Sequence, residues 1–167
     1  AFIFPFLLKG KSRMPVAIMA MGIVFNLLNG MMQAGGLFYF APEGLYADGW
    51  AYLLKPHALL GIILFFAGMF VNLHSDYVIR HLRRPGDTKH YLPGKGLYRY
   101  VTSANYFGEL VEWTGFAILT ASPAAWVFVW WTFANLVPRA DAIHRRYREE
   151  FGDEAVGKRK RIIPFLY

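Results

Sequence analysis

Long apolar segments that can cross a lipid bilayer constrain the fold of this chain more than any other feature. The segment from Val16 to about Phe40 exceeds the roughly 20 residues that a membrane-spanning helix needs. Its only strongly polar residues are Asn26, Asn29 and Gln33. In the whole chain 56% of the residues are hydrophobic and 18% are aromatic, which is above the usual share in soluble domains. We therefore expect a polytopic membrane protein.

A second apolar segment runs from about His57 to Leu73. Because no Pro or Gly pair interrupts the chain before Pro85-Gly86, the helix is expected to continue to that point, with its last turns in water. The pattern thus predicts one long helix that leaves the membrane at its C-terminal end.

Two further apolar segments follow, from near Ser103 to about Thr120 and from Ala124 to about Val137, on either side of a turn at Ser122-Pro123. With the apolar residues 1–8 there are about five such segments. Neither an alternating strand pattern nor an internal repeat is visible in the sequence. The prediction is an all-α, polytopic transmembrane helix bundle that forms one domain over residues 1–167.

Lys and Arg are concentrated between the apolar segments, in residues 9–13, 80–99 and 139–161. These basic stretches alternate with loops poor in Lys and Arg, so the positive-inside rule places the loop at residues 80–99 and the C-terminus in the cytosol. A nucleic-acid module would instead spread the formal charge of +7 over a soluble surface. We expect membrane lipids as partners and no nucleic acid.

Metal and thiol chemistry have no support in the sequence. The chain has no cysteine, and its five histidines form no HExxH-like pair. The glycines of Gly94-Lys95-Gly96 match neither GxGxxG nor a Walker motif, so a bound dinucleotide would lie outside a Rossmann fold.

Polar residues share one face of the second helix. At about 100° per residue, Asn72, Asp76 and Arg83 fall within about 40° of one another. This face is interpreted either as a ligand site or as ordinary helix surface, with Asp76 paired to Arg80 four residues on. Both interpretations stay open.

Asn105, Glu109 and Glu112 share a face of the third helix, among apolar neighbours. A buried acid needs a donor, a cation or a proton. Salt bridges to arginines of the basic loop are the structural interpretation. We favour a functional one, because ionisable residues inside membrane helices mostly line cavities or ligand paths.

The first helix carries a third polar stripe, formed by Asn26, Asn29 and Gln33, which predicts helix–helix contacts first and a substrate pocket second. The basic amphipathic tail over residues 139–165 is typical of surfaces that bind anionic lipid headgroups. A more specific interpretation is an anionic ligand such as a phosphorylated cofactor, held by several arginines.

Three blocks in this order resemble the steroid 5α-reductase family: NLHSDYVIRHLRRPGD at 72–87, KGLYRYVTSANYFGELVEWTGFA at 95–117 and KRKRIIPFLY at 158–167. The resemblance implies a seven-helix membrane enzyme, here without its first helices, that binds NADPH at its cytosolic side. Such an enzyme reduces the 4,5 double bond of 3-oxo-4-ene steroids. A steroid or another enone lipid would be the substrate, and the protein would be a monomer.

The resemblance also implies which residues bind the cofactor. The implied residues are Asn72, Asp76, Arg83, Asn105, Glu109, Tyr147 and Arg159. The first three would hold the adenosine and phosphates, and Asn105 and Glu109 would lie near the nicotinamide and the substrate.

The chain departs from the family pattern in two places. His90-Tyr91 stands ahead of Leu92-Pro93 where the family often has Tyr-Arg, so Arg84 or Lys89 would have to replace one phosphate contact. The family's catalytic Gln-Glu pair and its tyrosine partner have no counterpart here. Since the chain opens at Ala1 inside an apolar run, we expect these catalytic groups in a preceding N-terminal portion.

Other functions are compatible with parts of the pattern. Membrane methyltransferases of the isoprenylcysteine or phospholipid type look similar near residues 98–109, but they show Arg-His-Pro-x-Tyr where this chain reads VTSANY at 101–106. Enoyl-CoA and polyprenol reductases are relatives of the same broad fold. A lipid-binding helical scaffold is the non-enzymatic alternative.

Overall fold

The computed structural model describes residues 15–83, 87 and 89–167, and regular structure in them is helical. Two short 3₁₀ turns, Gly49–Leu54 and Gly96–Arg99, precede the second and third of the long helices in the bundle core. The α-helices are α1 (Val16–Phe38), α2 (Pro56–Arg80), α3 (Ala104–Thr120), α4 (Pro123–Phe151) and α5 (Asp153–Val156).

In the described part of the chain, α1 and α2 are the helices long and apolar enough to cross a membrane. They have 23 and 25 residues and mean hydropathies of 1.5 and 1.9. The predicted first span is thus confirmed as a helix, and the all-helical fold class is confirmed for the described residues. The apolar stub at residues 1–8 lies outside them.

The second helix ends earlier than predicted. The N–H of Leu82 bonds the carbonyl of Ile79 at 3.2 Å, a bond of the tighter 3₁₀ type, and His81 has already left the helical conformation. The helix therefore stops at Arg80, and Arg83 lies in the bend beyond it. The prediction that Arg83 shares the helical face of Asn72 and Asp76 was wrong.

The fourth helix is longer than predicted. Pro123 occupies its first turn, where a missing N–H costs nothing, and the turn before it uses Ala121 in the left-handed region at φ 49°. The helix then continues through Pro138 to Phe151 without ending near Val137. The apolar segment and the basic amphipathic tail are therefore one rod.

Glycines bring α2 and α3 into backbone contact. Gly61 and Gly68 of α2 face Gly115 and Gly108 of α3, and a Cβ at any of these positions would overlap the backbone of the opposite helix. Small residues at an interface allow such close approach between apolar helices. Both pairs are seven residues apart, a signal that was present in the sequence and was missed.

The polar stripe of α1 is only partly a helix–helix contact. Gln33 Nε2 donates to the carbonyl of Ala124 on α4 at 3.2 Å and to Asn29 Oδ1 at 3.2 Å. Asn26 is exposed and donates to Gly22 within its own helix. The predicted contact is thus confirmed for Gln33 and wrong for Asn26.

The two ends of α3 are held by different segments. At its C-terminal end, the hydroxyls of Tyr46 and Tyr52 donate to the carbonyls of Thr120 and Leu119 at 2.5 and 2.8 Å. These carbonyls would otherwise lack partners at the helix end.

At its N-terminal end, residues 100–103 pair with the tail. The N–H groups of Thr102 and Ser103 donate to the carbonyls of Lys160 and Arg161 at 2.9 and 3.0 Å. This pairing places the tail against the start of α3. We call this side of the molecule, which contains residues 76–83, 89–103 and 139–161, the basic end.

Candidate functional site

Polar side chains from three helices and one 3₁₀ turn meet where α2 reaches the basic end. We call this group the polar cluster. Its members are Asn72, Asp76, Tyr98, Asn105, Glu109, Glu112 and Tyr147. The glycine contacts explain why they meet: Gly108 packs on the backbone of Asn72, one turn beyond Gly68. The two predicted faces, on α2 and α3, therefore belong to one site.

Tyr98 lies at the centre of the polar cluster, with only 1% of the residue exposed. Its hydroxyl donates to Asn105 Oδ1 at a long 3.4 Å. Burial, followed by the charges of Tyr147 and Asp76, raises the pKa of Tyr98, so this hydroxyl stays protonated and acts as a donor. Tyr98 was not among the residues predicted from the sequence, because a tyrosine in a loop stands out from no apolar helical face.

The acids of α3 are half-buried beside a third acid. Glu109 lies near Glu112 and Asp76, with Arg139 of α4 as a nearby positive charge, and Asn72 lies near Glu112. Among the residues that the structure describes, neither acid of α3 forms an ion pair within 4.0 Å. The salt-bridge interpretation therefore finds no support there, and the acids face the cluster.

Asp76 is not paired with Arg80 through its carboxylate. Arg80 Nε donates to the backbone carbonyl of Asp76 at 3.3 Å instead. The carboxylate thus remains available to the polar cluster. Arg83 approaches from the bend after α2 and lies close enough to Tyr147 for their charges to interact.

The two predicted tail residues have different surroundings. Tyr147 is half-buried on α4, and burial raises the pKa of its hydroxyl. Arg159 Nη1 donates to the carbonyl of Pro93 at 2.9 Å, which attaches the tail to the loop before the 3₁₀ turn. The structure therefore brings Tyr147 into the polar cluster and places Arg159 against the backbone.

His90, which stands where the chain departs from the family pattern, faces α4. His90 Nδ1 lies 2.7 Å from a carboxylate oxygen of Glu150 and 3.4 Å from Arg146. Lys89 is exposed, and Arg84 lies outside the described residues. His90 is thus engaged by an acid on α4.

Together these features define a class: an all-helical protein with apolar helices long enough to span a membrane and a half-buried polar site at its basic end. The family model described as 3-oxo-5-alpha-steroid 4-dehydrogenase matches residues 12–167. The chain belongs to this family, and the resemblance drawn from its three sequence blocks is confirmed.

Curated relatives agree with this assignment. The chain is 43% identical over 165 residues to 3-oxo-5-alpha-steroid 4-dehydrogenase 1 of Macaca fascicularis, covering 99% of this chain and 60% of the relative. It is 39% identical to 3-oxo-5-alpha-steroid 4-dehydrogenase 2 of the same species, with 99% and 63% covered. Identity to steroid 5-alpha-reductase DET2 of Arabidopsis thaliana is 36%, with 95% and 59% covered. The chain thus spans about three fifths of the length of these relatives.

Proposed function

We propose that the chain forms the cofactor-binding part of an NADPH-dependent enzyme that reduces the 4,5 double bond of 3-oxo-4-ene steroids to give 5α-steroids. The observation that carries this proposal is the match to relatives named for that reaction over nearly the whole chain. The polar cluster supports it independently, because it combines donors and acceptors in a half-buried site.

The polar cluster has the chemistry that a nicotinamide dinucleotide requires. Carboxylates such as Asp76 accept hydrogen bonds from ribose hydroxyls, and Asn105 and Glu109 can bond a carboxamide group. Arg83 at the rim is a charge partner for phosphate. In this assignment Asn72, Tyr147 and Arg159 complete the cofactor contacts.

When bound, NADPH supplies the hydride for the reduction. The chain's own contribution is to bind the cofactor and to orient the nicotinamide through Asn105 and Glu109. Tyr98 acts indirectly, because its hydroxyl occupies Asn105 Oδ1 and leaves the amide N–H groups free to donate. We assign no catalytic residue among the residues named here.

In this proposal the protein is a multi-pass integral membrane protein with a single reductase domain. Its basic end faces the cytosol, where NADPH is available. The concentration of Lys and Arg at that end supports this orientation through the positive-inside rule.

A side-by-side assay tests the activity. NADPH consumption by the full-length protein in nanodiscs is measured with a 3-oxo-4-ene steroid and with an enoyl thioester. We expect turnover with the steroid and formation of the 5α product. Turnover of the thioester alone would favour an enoyl-CoA reductase, and fluorescence and melting temperature unaffected by NADPH would favour a non-enzymatic scaffold.

A further inference from the structure

A cavity distinct from the polar cluster lies at the basic end, between the 3₁₀ turn Gly96–Arg99 and the tail. It has a volume of about 350 Å³. The lining residues that matter for its chemistry are Arg99, Tyr100, Lys158, Arg159, Lys160 and Phe165. Four of these are cations, and none of the residues lining the cavity is an acid. The cavity is therefore strongly positive and is suited to an anion.

None of the four cations forms an ion pair with an acid among the described residues. Arg159 is engaged by the carbonyl of Pro93. Neighbouring cations repel one another unless an anion lies between them. A phosphate group, which accepts charge-assisted hydrogen bonds from several Arg and Lys donors at once, satisfies this arrangement.

An exposed apolar surface adjoins the cations. Phe165 and Leu166 are 77% and 75% exposed, and the ring of Phe165 lies 5.1 Å from that of Tyr100 between centroids. Phe165 has a left-handed φ of 65° and belongs to a turn in which the N–H of Tyr167 donates to Ile163 at 3.1 Å. The turn thus holds a large aromatic side chain outward beside the cavity.

Cationic groups beside exposed apolar groups are typical of the boundary between lipid headgroups and acyl chains. The position agrees, because the cavity lies just before α3 begins at Ala104. A soluble anion would use the cations and leave Phe165 and Leu166 exposed to water. A phospholipid uses both surfaces.

We propose that this cavity binds the phosphate group of an anionic membrane phospholipid, whose acyl chains lie along Phe165 and Leu166. The site goes beyond the proposed function and does not depend on it. The cavity lining contains no member of the polar cluster, and Arg159 is the one residue that it shares with the proposed cofactor contacts.

The test compares lipid retention by wild type and by the double variant Arg99→Gln, Lys158→Gln, which leaves Arg159 intact. Both proteins are reconstituted in nanodiscs of phosphatidylcholine and phosphatidylglycerol. Each protein is then released from the nanodisc, and the lipid molecules that stay bound to it are counted by mass spectrometry. We expect retention of phosphatidylglycerol to fall about fivefold for each cation removed. The matched control Lys95→Gln, Arg145→Gln removes the same charge outside the cavity and should retain the lipid.

Two further measurements separate the sources of the phosphate. Phe165→Ala should weaken retention of phosphatidylglycerol and leave any binding of glycerol 3-phosphate unchanged. If glycerol 3-phosphate in detergent raises the melting temperature as much as phosphatidylglycerol does, the site is for a soluble anion and the lipid proposal is wrong.

The cofactor provides the last comparison. The cavity variant should bind NADPH as tightly as wild type does. A parallel loss of NADPH affinity would instead make the cavity part of the cofactor site, and equal lipid retention by the cavity and control variants would exclude a specific lipid site.

Discussion

At the scale of single residues, the largest addition to the sequence analysis is Tyr98. Asn105 and Asp76 were selected because polar groups are costly inside apolar helices, but a tyrosine in a loop carries no such signal. Its role follows from the fold, which buries the ring and directs the hydroxyl to Asn105. Sequence reasoning finds a polar residue on an apolar face more readily than the residue that orients it.

Tyr98→Phe tests this role. The change keeps the ring but removes the hydrogen bond to Asn105, so we expect a loss of about 1 kcal/mol in stability and weaker NADPH binding. Tyr46→Phe is the matched control, because it removes a hydroxyl bond to Thr120 at the opposite end of α3. Tryptophan fluorescence titrations should show an NADPH defect only in Tyr98→Phe. An equal defect in both variants would reduce Tyr98 to a structural role.

His144 gives the protein a pH-dependent contact. It is 7% exposed on α4, with Nδ1 3.3 Å from Thr102 Oγ1. Burial, together with the charges of Arg161 and Arg148, lowers its pKa below the ordinary 6.5. The unfolded chain therefore binds more protons below that pH, and the stability contributed by neutral His144 is lost as the pH falls.

The melting temperature should accordingly fall between about pH 7 and about pH 5 in wild type and fall less in His144→Gln. His81→Gln, at an exposed position, is the control and should follow the wild-type profile. Identical slopes in wild type and His144→Gln would show that protonation of this residue is not coupled to folding.

At the scale of helices, the sequence predicted their existence better than their ends. The limits of α1 and α3 agree with the apolar segments to within two residues: Pro15 precedes α1, and the turn at Ser122-Pro123 follows α3. The end of α2 was missed because residues 81–83 favour a helix but tighten into a turn. The length of α4 was missed because Pro138 and the change in composition resemble a boundary, although a proline removes only one backbone donor.

The glycine contacts between α2 and α3 position the polar cluster, and Gly68→Ala tests them. The added methyl group would overlap the backbone of Glu112, so the helices must separate. We expect a loss of roughly 1–3 kcal/mol in stability together with weaker NADPH binding.

Gly30→Ala on α1 is the control, because nothing lies within 4 Å of its added Cβ. It should leave the melting temperature unchanged or raise it slightly. Equal behaviour of the two variants would contradict the close helix contact.

At the scale of the whole molecule, the basic end joins elements that are distant in the sequence. The pairing of residues 100–103 with the tail and the bond from Arg159 to Pro93 bring cations to one side of the bundle. Composition predicted a basic face, but it contained no information about these backbone pairings, which depend on the folded chain. The polar cluster and the cation-lined cavity are separate sites at this end, because the cavity lining contains no member of the cluster.

The central claim is that the polar cluster holds NADPH, and the dissociation constant of NADPH for Asp76→Ala tests it most directly. Removing a hydrogen bond from a charged group should weaken binding by about tenfold or more, while the fold is retained because Asp76 makes no carboxylate ion pair in the described chain. Asp48→Ala, which removes an acid paired with Lys55 before α2, should bind NADPH as wild type does. Equal affinity in Asp76→Ala and wild type would contradict the account.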